Sequence, residues 1–310
     1  MRLYPDAVRQ FITDPAANLR TETSRSVYSR TLRLLAATYP DHRVQDFTEQ
    51  ELVDFCARPE LSPASQAGYR TRVQGFFSWA KWRGIIDHDP ASNLGRYVKG
   101  SQTKPVRTHH WFTEAEVQDI LERIDRSTIA GQRRYVVARL GFTIGLRREE
   151  IARLTWKQLD LANQRLQLVG KGGKRAALFV PDRTVEALEK WRLEATHGLG
   201  REPKQDPVIP KLGYINDFQG GDQHYEVWWT QHVIPHTIGQ IVKAISDEVG
   251  VEFTAHDMRR SFAGILVDRG VPLQDVSAAL RHANLGTTQR YLEQRQDAGY
   301  RAVKGVGFDL

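Results

Sequence analysis

The sequence predicts a mainly α-helical protein with one small β-hairpin, arranged as two domains. Three observations predict it. The chain has 310 residues, enough for two cores when domains commonly hold roughly 100 to 200 residues. Apolar residues recur at three- and four-residue steps behind Ser or Thr start signals over much of the chain. The period changes to two around residues 166–180.

Residues 1–95 read as a helical domain. Thr48 and Glu51 form a capping box ahead of Leu52, Val53 and Phe55, and Ser62 followed by Pro63 opens a longer helix. In that helix Tyr69, Val73, Phe76, Phe77 and Ala80 fall on one face, which is expected to pack inward. Arg70, Arg72, Lys81 and Arg83 fall outside the stripe, free to meet solvent or a phosphate backbone. The helix is expected to end near Gly84, before a turn-rich exit. Residues 96–108, with Lys99, Gly100, Lys104 and Pro105, make the best linker.

Residues 109–310 form the second domain, opened by a capping box of Thr113 and Glu116 on an amphipathic helix through Val117, Ile120 and Leu121. Helical patterns run to about Leu154. Leu166 and Leu168 then alternate with Gln167 and Val169, and a glycine-rich turn leads to a second short strand over Ala177 to Val180. Residues 197–236 hold nine Gly and Pro residues and read as an irregular insertion. Tyr214, Tyr225, Trp228 and Trp229 in it suggest either a DNA or partner contact or a packed excursion. His232 and His236 have helical metal-ligand spacing, but Pro235 lies between them and no third ligand is evident, so zinc is discounted. Helical patterning returns at Ile238.

Composition narrows the function. Apolar content of 40% and charged content of 26% are those of a chain that folds in water. Lys and Arg number 44 against 37 for Asp and Glu, a +7 excess that suits a polyanionic partner. The lone Cys56 excludes a disulfide framework and a Cys-rich zinc module. No segment has the apolar length of a signal peptide or membrane span, so a cytoplasmic or chromosome-bound protein is expected.

Four segments carry the chemistry. Gly145 precedes Arg147, and Glu150 lies three residues beyond it; on a helix that spacing lets the carboxylate orient the guanidinium toward a phosphate. The turn GKGGKR fails both common nucleotide-loop patterns and leaves Lys171 at the tip of a hairpin. His256 and Arg259 are again three residues apart, and Phe262, Ile265 and Leu266 are expected to bury the same helix. His282 and Tyr291 are nine residues apart, on opposite sides of any continuous helix, so a break at Asn284 to Gly286 must bring them together. Each signal alone has an ordinary structural explanation.

Together, TIGLRREE, GKGGK, HDMRRS and LRHANLGTTQRY resemble the tyrosine recombinase and phage integrase family, in the family's order and spacing. The resemblance covers nearly the whole chain. It is nearest to the simple Xer-like and short integrase types, with no room before the first helices for an arm-binding domain. It implies a helical core-binding domain and an α+β catalytic domain that clamp DNA from two faces. Arg281 departs from the pattern, standing where a glycine usually precedes the histidine, and could crowd that turn or add a phosphate contact.

The resemblance implies a site-specific recombinase that cuts and rejoins DNA through a 3′-phosphotyrosyl bond. Tyr291 is then the nucleophile, and Arg147 and Arg259 clamp the phosphate in place of a metal, so no divalent cofactor is expected. Lys171 is the general acid for the departing 5′ oxygen, His256 a proton acceptor or donor, and His282 a hydrogen-bond donor, with Glu150 in support. The expected partners are double-stranded recombination sites, a homotetramer formed on them with residues 300–310 docking on a neighbour, and accessory DNA-bending or directionality proteins; no membrane is involved. Two alternatives stay open. A type IB topoisomerase would relax plasmids without exchanging strands, and a non-catalytic regulator would bind DNA without a covalent adduct.

Overall fold

The computed structural model describes residues 4–99, 111–169, 175–216, 223–281 and 286. The chain divides into two compact units, Met1–Arg107 and Thr108–Leu310.

Among the described residues, the regular elements of the first unit are helices: α1 (Tyr4–Thr13), α2 (Glu22–Thr38), α3 (Glu49–Cys56), α4 (Pro63–Trp82) and α5 (Leu94–Tyr97), with two short 3-10 turns. The expected start signals operate. The Thr48 hydroxyl accepts the Glu51 N–H, the Glu51 carboxylate accepts the Thr48 N–H in return, and Ser62 caps α4 with Pro63 in its first turn. Val73, Phe76, Phe77 and Ala80 of α4 are fully buried, with Tyr69 packed at their margin. Aromatic edges close this core: Tyr4 meets Phe47 and Phe76, and Phe11 meets Phe76, at centroid distances of 5.1 to 5.5 Å. Such pairs each add about 0.5–1.5 kcal/mol beyond their burial.

The basic side of α4 differs from the expectation. Arg70 donates to the Val98 carbonyl at 2.7 Å, and Arg72 donates to the Thr31 hydroxyl at 3.1 Å while lying over the Tyr69 ring. Arg83 donates to the buried carboxylate of Asp14, which also accepts the Trp79 indole N–H. The Arg83 hydrogen bonds, with one from the Ala16 amide, hold Asp14 below the usual carboxylate range. Helical spacing sets which residues leave the apolar stripe, but a long arginine at the stripe's edge reaches polar groups on neighbouring elements. Of the four, Lys81 is exposed, and among the described residues no such contact engages it. The linker also begins later than residue 96, because Arg96 and Tyr97 lie in α5 and Val98 is buried against the helical core. Lys99 is exposed; Lys104 lies outside the described residues.

The second unit contains α6 (Glu114–Arg123), α7 (Ile129–Ile144), α8 (Arg148–Arg153), β1 (Leu159–Asp160), β2 (Arg165–Val169), β3 (Arg175–Phe179), α9 (Asp182–Leu199), β4 (Pro210–Asn216), β5 (Gln223–His232), α10 (Pro235–Val249), α11 (Ala255–Asp268) and α12 (Leu273–Ala279). The Thr113–Glu116 capping box opens α6. Helix α7 is the spine: Val137, Ala138 and Leu140 are fully buried, and α9, α10 and α11 pack around it. Strands β1, β2 and β3 form an antiparallel sheet in that order, with Leu166 opposite Leu178 and the Leu166 and Leu168 side chains inward. The turn carrying Lys171 lies outside the described residues.

Much of the segment expected to be irregular, residues 197–236, is regular structure among the described residues. Helix α9 runs through Leu199, and β4 and β5 form an antiparallel hairpin that pairs Tyr214 with Tyr225. Two of its glycine and proline residues, Pro210 and Gly213, stand within β4, and Gly198 stands within α9. Pro210 is the first residue of β4, where the lost N–H is tolerated. Gly213 lies under the Trp228 ring, so close that a Cβ would stand 2.5 Å from it. Trp229 anchors the hairpin on α9, meeting the Trp191 ring at 5.1 Å and covering Gly198. His232 belongs to β5, with Nδ1 3.2 Å from the Ala152 carbonyl, whereas His236 belongs to α10. Among the described residues, no helix is long and apolar enough to cross a membrane.

Candidate active site

Three chain reversals build the site. The first ends α7 at Gly145, whose left-handed backbone (φ 66°) would strain any other common residue. A Cβ there would also stand 2.3 Å from the Phe262 ring, so both backbone and space demand glycine. The reversal puts Arg147 immediately before α8 rather than inside a helix with Glu150. Glu150, in the first turn of α8, therefore grips Arg147 twice: Oε2 accepts its backbone N–H at 2.7 Å and Oε1 accepts Nη1 at 2.9 Å.

The second reversal starts α11. Thr254 caps it, with the Asp257 carboxylate accepting the Thr254 N–H in return, and this places His256 and Arg259 one turn apart as expected. Arg259 is only 2% exposed, and its guanidinium donates to the carbonyls of Gly145 and Leu280. The buried face of α11 is Met258, Ser261, Ala263 and Gly264; Phe262, Ile265 and Leu266, expected to be buried, are only partly so.

The third reversal ends α12. The helix closes at Leu280, and Arg281 takes a left-handed backbone with φ 54°. The chain thus leaves α12 before His282; the break expected at Asn284 to Gly286 lies outside the described residues except for Gly286, which has helical backbone. Arg147 Nη2 donates to the Leu280 and Arg281 carbonyls at 3.2 and 3.1 Å, so all three reversals meet around two guanidiniums.

Arg147, His256 and Arg259 line one cavity of about 740 Å³, whose other charged residues are Arg148, Lys243 and a single carboxylate, Glu149. Its cationic wall suits a phosphodiester. Glu150 remains ionised against its own burial. Desolvation pushes its carboxyl up, but the charge and hydrogen bonds of Arg281, then those of Arg147, bring it below the usual value. Lys171, His282 and Tyr291 lie outside the described residues.

Arg281 is where sequence reasoning fell short. A contact to phosphate or a crowded turn was expected. Instead, its side chain folds back on Glu150, with Nη2 to Oε2 at 2.7 Å and Nε to Oε1 at 3.3 Å. The available signal was an arginine in a glycine position with a carboxylate already assigned to the site.

Residues 110–297 match the Phage integrase family. The chain belongs to that family, and it is a tyrosine-type site-specific recombinase. It is 30% identical over 239 residues to the tyrosine recombinase XerD of Listeria innocua serovar 6a, covering 76% of this chain and 74% of that protein. It is 29% identical over 288 residues to the tyrosine recombinase XerC of Pseudomonas putida, covering 89% and 88%. The fold matches that of a lambda integrase dimer bound to a COC′ core site, with TM-score 0.67 at 16% identity over 94% of this chain and 96% of that one. XerH site-specific recombinase bound to a palindromic difH substrate matches with TM-score 0.66 at 20% identity, over 91% and 79%.

Proposed function

We propose that this chain exchanges DNA strands at specific sites through a covalent Tyr291 intermediate. The observation that supports it best is the cavity on which Arg147, ahead of α8, and His256 and Arg259, on α11, converge beside the chain that leads to His282. The Tyr291 oxygen attacks the scissile phosphorus, and the bond to the 5′ oxygen breaks. Lys171 gives that oxygen a proton, and His256 takes the proton of Tyr291 and returns it on rejoining. Arg147 and Arg259 meet the charge that grows on the non-bridging oxygens, with Glu150 holding Arg147 and His282 donating a further hydrogen bond. The phosphotyrosyl bond conserves the phosphodiester's energy, so rejoining to another strand needs no nucleotide.

Residues 1–95 serve as the core DNA-binding domain and 109–310 as the catalytic domain. Both act in the cytoplasm on double-stranded sites. The functional assembly is a homotetramer on two sites, with residues 300–310 docked on a neighbour and with accessory DNA-bending or directionality proteins. A structural neighbour is a lambda integrase tetramer bound to a Holliday junction, which supports this assembly by fold.

The test is incubation with nicked suicide DNA carrying the native site. A covalent adduct is expected with the natural sequence and none with Tyr291→Phe. An adduct that survives the substitution rules out Tyr291 as nucleophile.

A further inference from the structure

We propose that Arg281 is a positioning residue for strand cleavage, taking up the Glu150 carboxylate so that Arg147 keeps both its place and its positive charge for the phosphate. The inference rests on the site proposed above. Its basis is the shared carboxylate. Each Glu150 oxygen accepts from both arginines: Oε1 from Arg147 Nη1 and Arg281 Nε, Oε2 from the Arg147 amide and Arg281 Nη2.

Two cations thus share one anion. With Arg147 alone, Glu150 would form a closed neutral pair and lower the field that the cavity offers a phosphate. With Arg281 present, one unit of positive charge remains. Exposure decides where it is felt. The Arg281 side chain is 12% exposed and the Arg147 side chain 36%, so the buried arginine serves the carboxylate and the open one faces the cavity.

The remaining contacts show that Arg281 is built in. Nη1 donates to the Ala279 carbonyl at 2.8 Å, and Nη2 also reaches the Gly145 carbonyl at 3.3 Å. The side chain therefore ties the end of α12 to the Gly145 reversal and to Glu150 at once. The backbone at this position is left-handed, where glycine would be unstrained and arginine is not. Retaining an arginine against that strain points to the guanidinium rather than the turn.

The experiment compares Arg281→Gly and Arg281→Lys with the natural protein for DNA affinity and single-turnover adduct formation on saturating nicked suicide DNA. Arg281→Gly should bind DNA almost unchanged and cleave slower by roughly 10- to 100-fold. Millimolar guanidinium should restore much of the loss in that variant and leave the natural protein unaffected. Arg281→Lys, with the charge but not the fork, should fall between. Equal cleavage by Arg281→Gly, or a loss that guanidinium leaves untouched and that tracks DNA affinity or melting temperature, overturns the proposal. If Arg281→Gly does not fold, Arg281→Lys decides alone: natural-rate cleavage refutes it, and a kcat loss at constant affinity supports it. Failure of the natural protein to form any adduct would instead sink the parent reading.

Discussion

Arg147 and Arg259 share one hydrogen-bond acceptor, the carbonyl oxygen of Leu280. Both guanidiniums are thereby set by the residue that closes α12. For Arg259 the fork matters more than the charge, since it bridges two carbonyls at 2% exposure. Arg259→Lys should lower single-turnover adduct formation by about 10²- to 10³-fold. A loss under about threefold would place Arg259 outside the reaction.

Glu150 gives a pH signature. Its folded pKa lies below the ordinary carboxylate value, so its stabilising contribution is present at neutral pH and disappears as pH falls through that folded value. Urea midpoints of the natural protein and Glu150→Gln should differ by a constant amount above about pH 5 and converge in more acid solution. A gap that widens toward low pH would contradict the carboxylate's role as anchor of the two arginines.

Among the basic residues of the first unit, Lys81 and Arg83 should behave oppositely. Lys81→Ala is expected to weaken DNA binding and to reduce the salt slope of the binding constant by about one. Arg83→Ala should instead lower the melting temperature, because Asp14 loses its guanidinium partner. Salt-dependent binding titrations on both variants, with a thermal melt for each, separate the two effects.

Burial pushes the Cys56 thiol up to about 12, with Arg58 and Arg70 opposing it weakly. At pH 8 the thiolate that reacts with disulfide reagents is scarce and enclosed. Labelling with such a reagent should be negligible in the native protein and complete within minutes in denaturant. Rapid native labelling would show that α3 is not seated as described.

Gly198 tests the hairpin's anchor. A Cβ there would stand 2.0 Å from the Trp229 indole nitrogen, so Gly198→Ala must push β5 away from α9. A cost of about 1–3 kcal/mol in urea unfolding is expected. Gly84→Ala is a useful contrast, since its penalty comes from a left-handed backbone with nothing within 4 Å.

The capping boxes at Thr48 and Thr113 and the stripe of α4 were legible because local spacing alone decides them. The β2–β3 hairpin was legible for the same reason. The β4–β5 hairpin was not. Its prolines and glycines are ordinary breaker signals, and only the aromatic neighbours of Gly213 and Gly198 turn them into strand and helix positions. The alternation in HYEVWWTQH was the usable clue. At the site, the i,i+3 relation of His256 to Arg259 on α11 was readable from spacing alone. The placement of Arg147 ahead of α8 depends on a glycine reversal, and the partner of Arg281 depends on a fold-back between residues far apart in sequence. No periodicity encodes either.

The Leu280 carbonyl also bears on how such a site survives sequence divergence. A peptide oxygen is present whatever side chain its residue carries. Replacements at position 280 that preserve the helix end leave both guanidiniums with the same acceptor. The geometry is thus inherited through chain path rather than through side-chain identity, and it tolerates drift that would erase a clamp built from paired side chains.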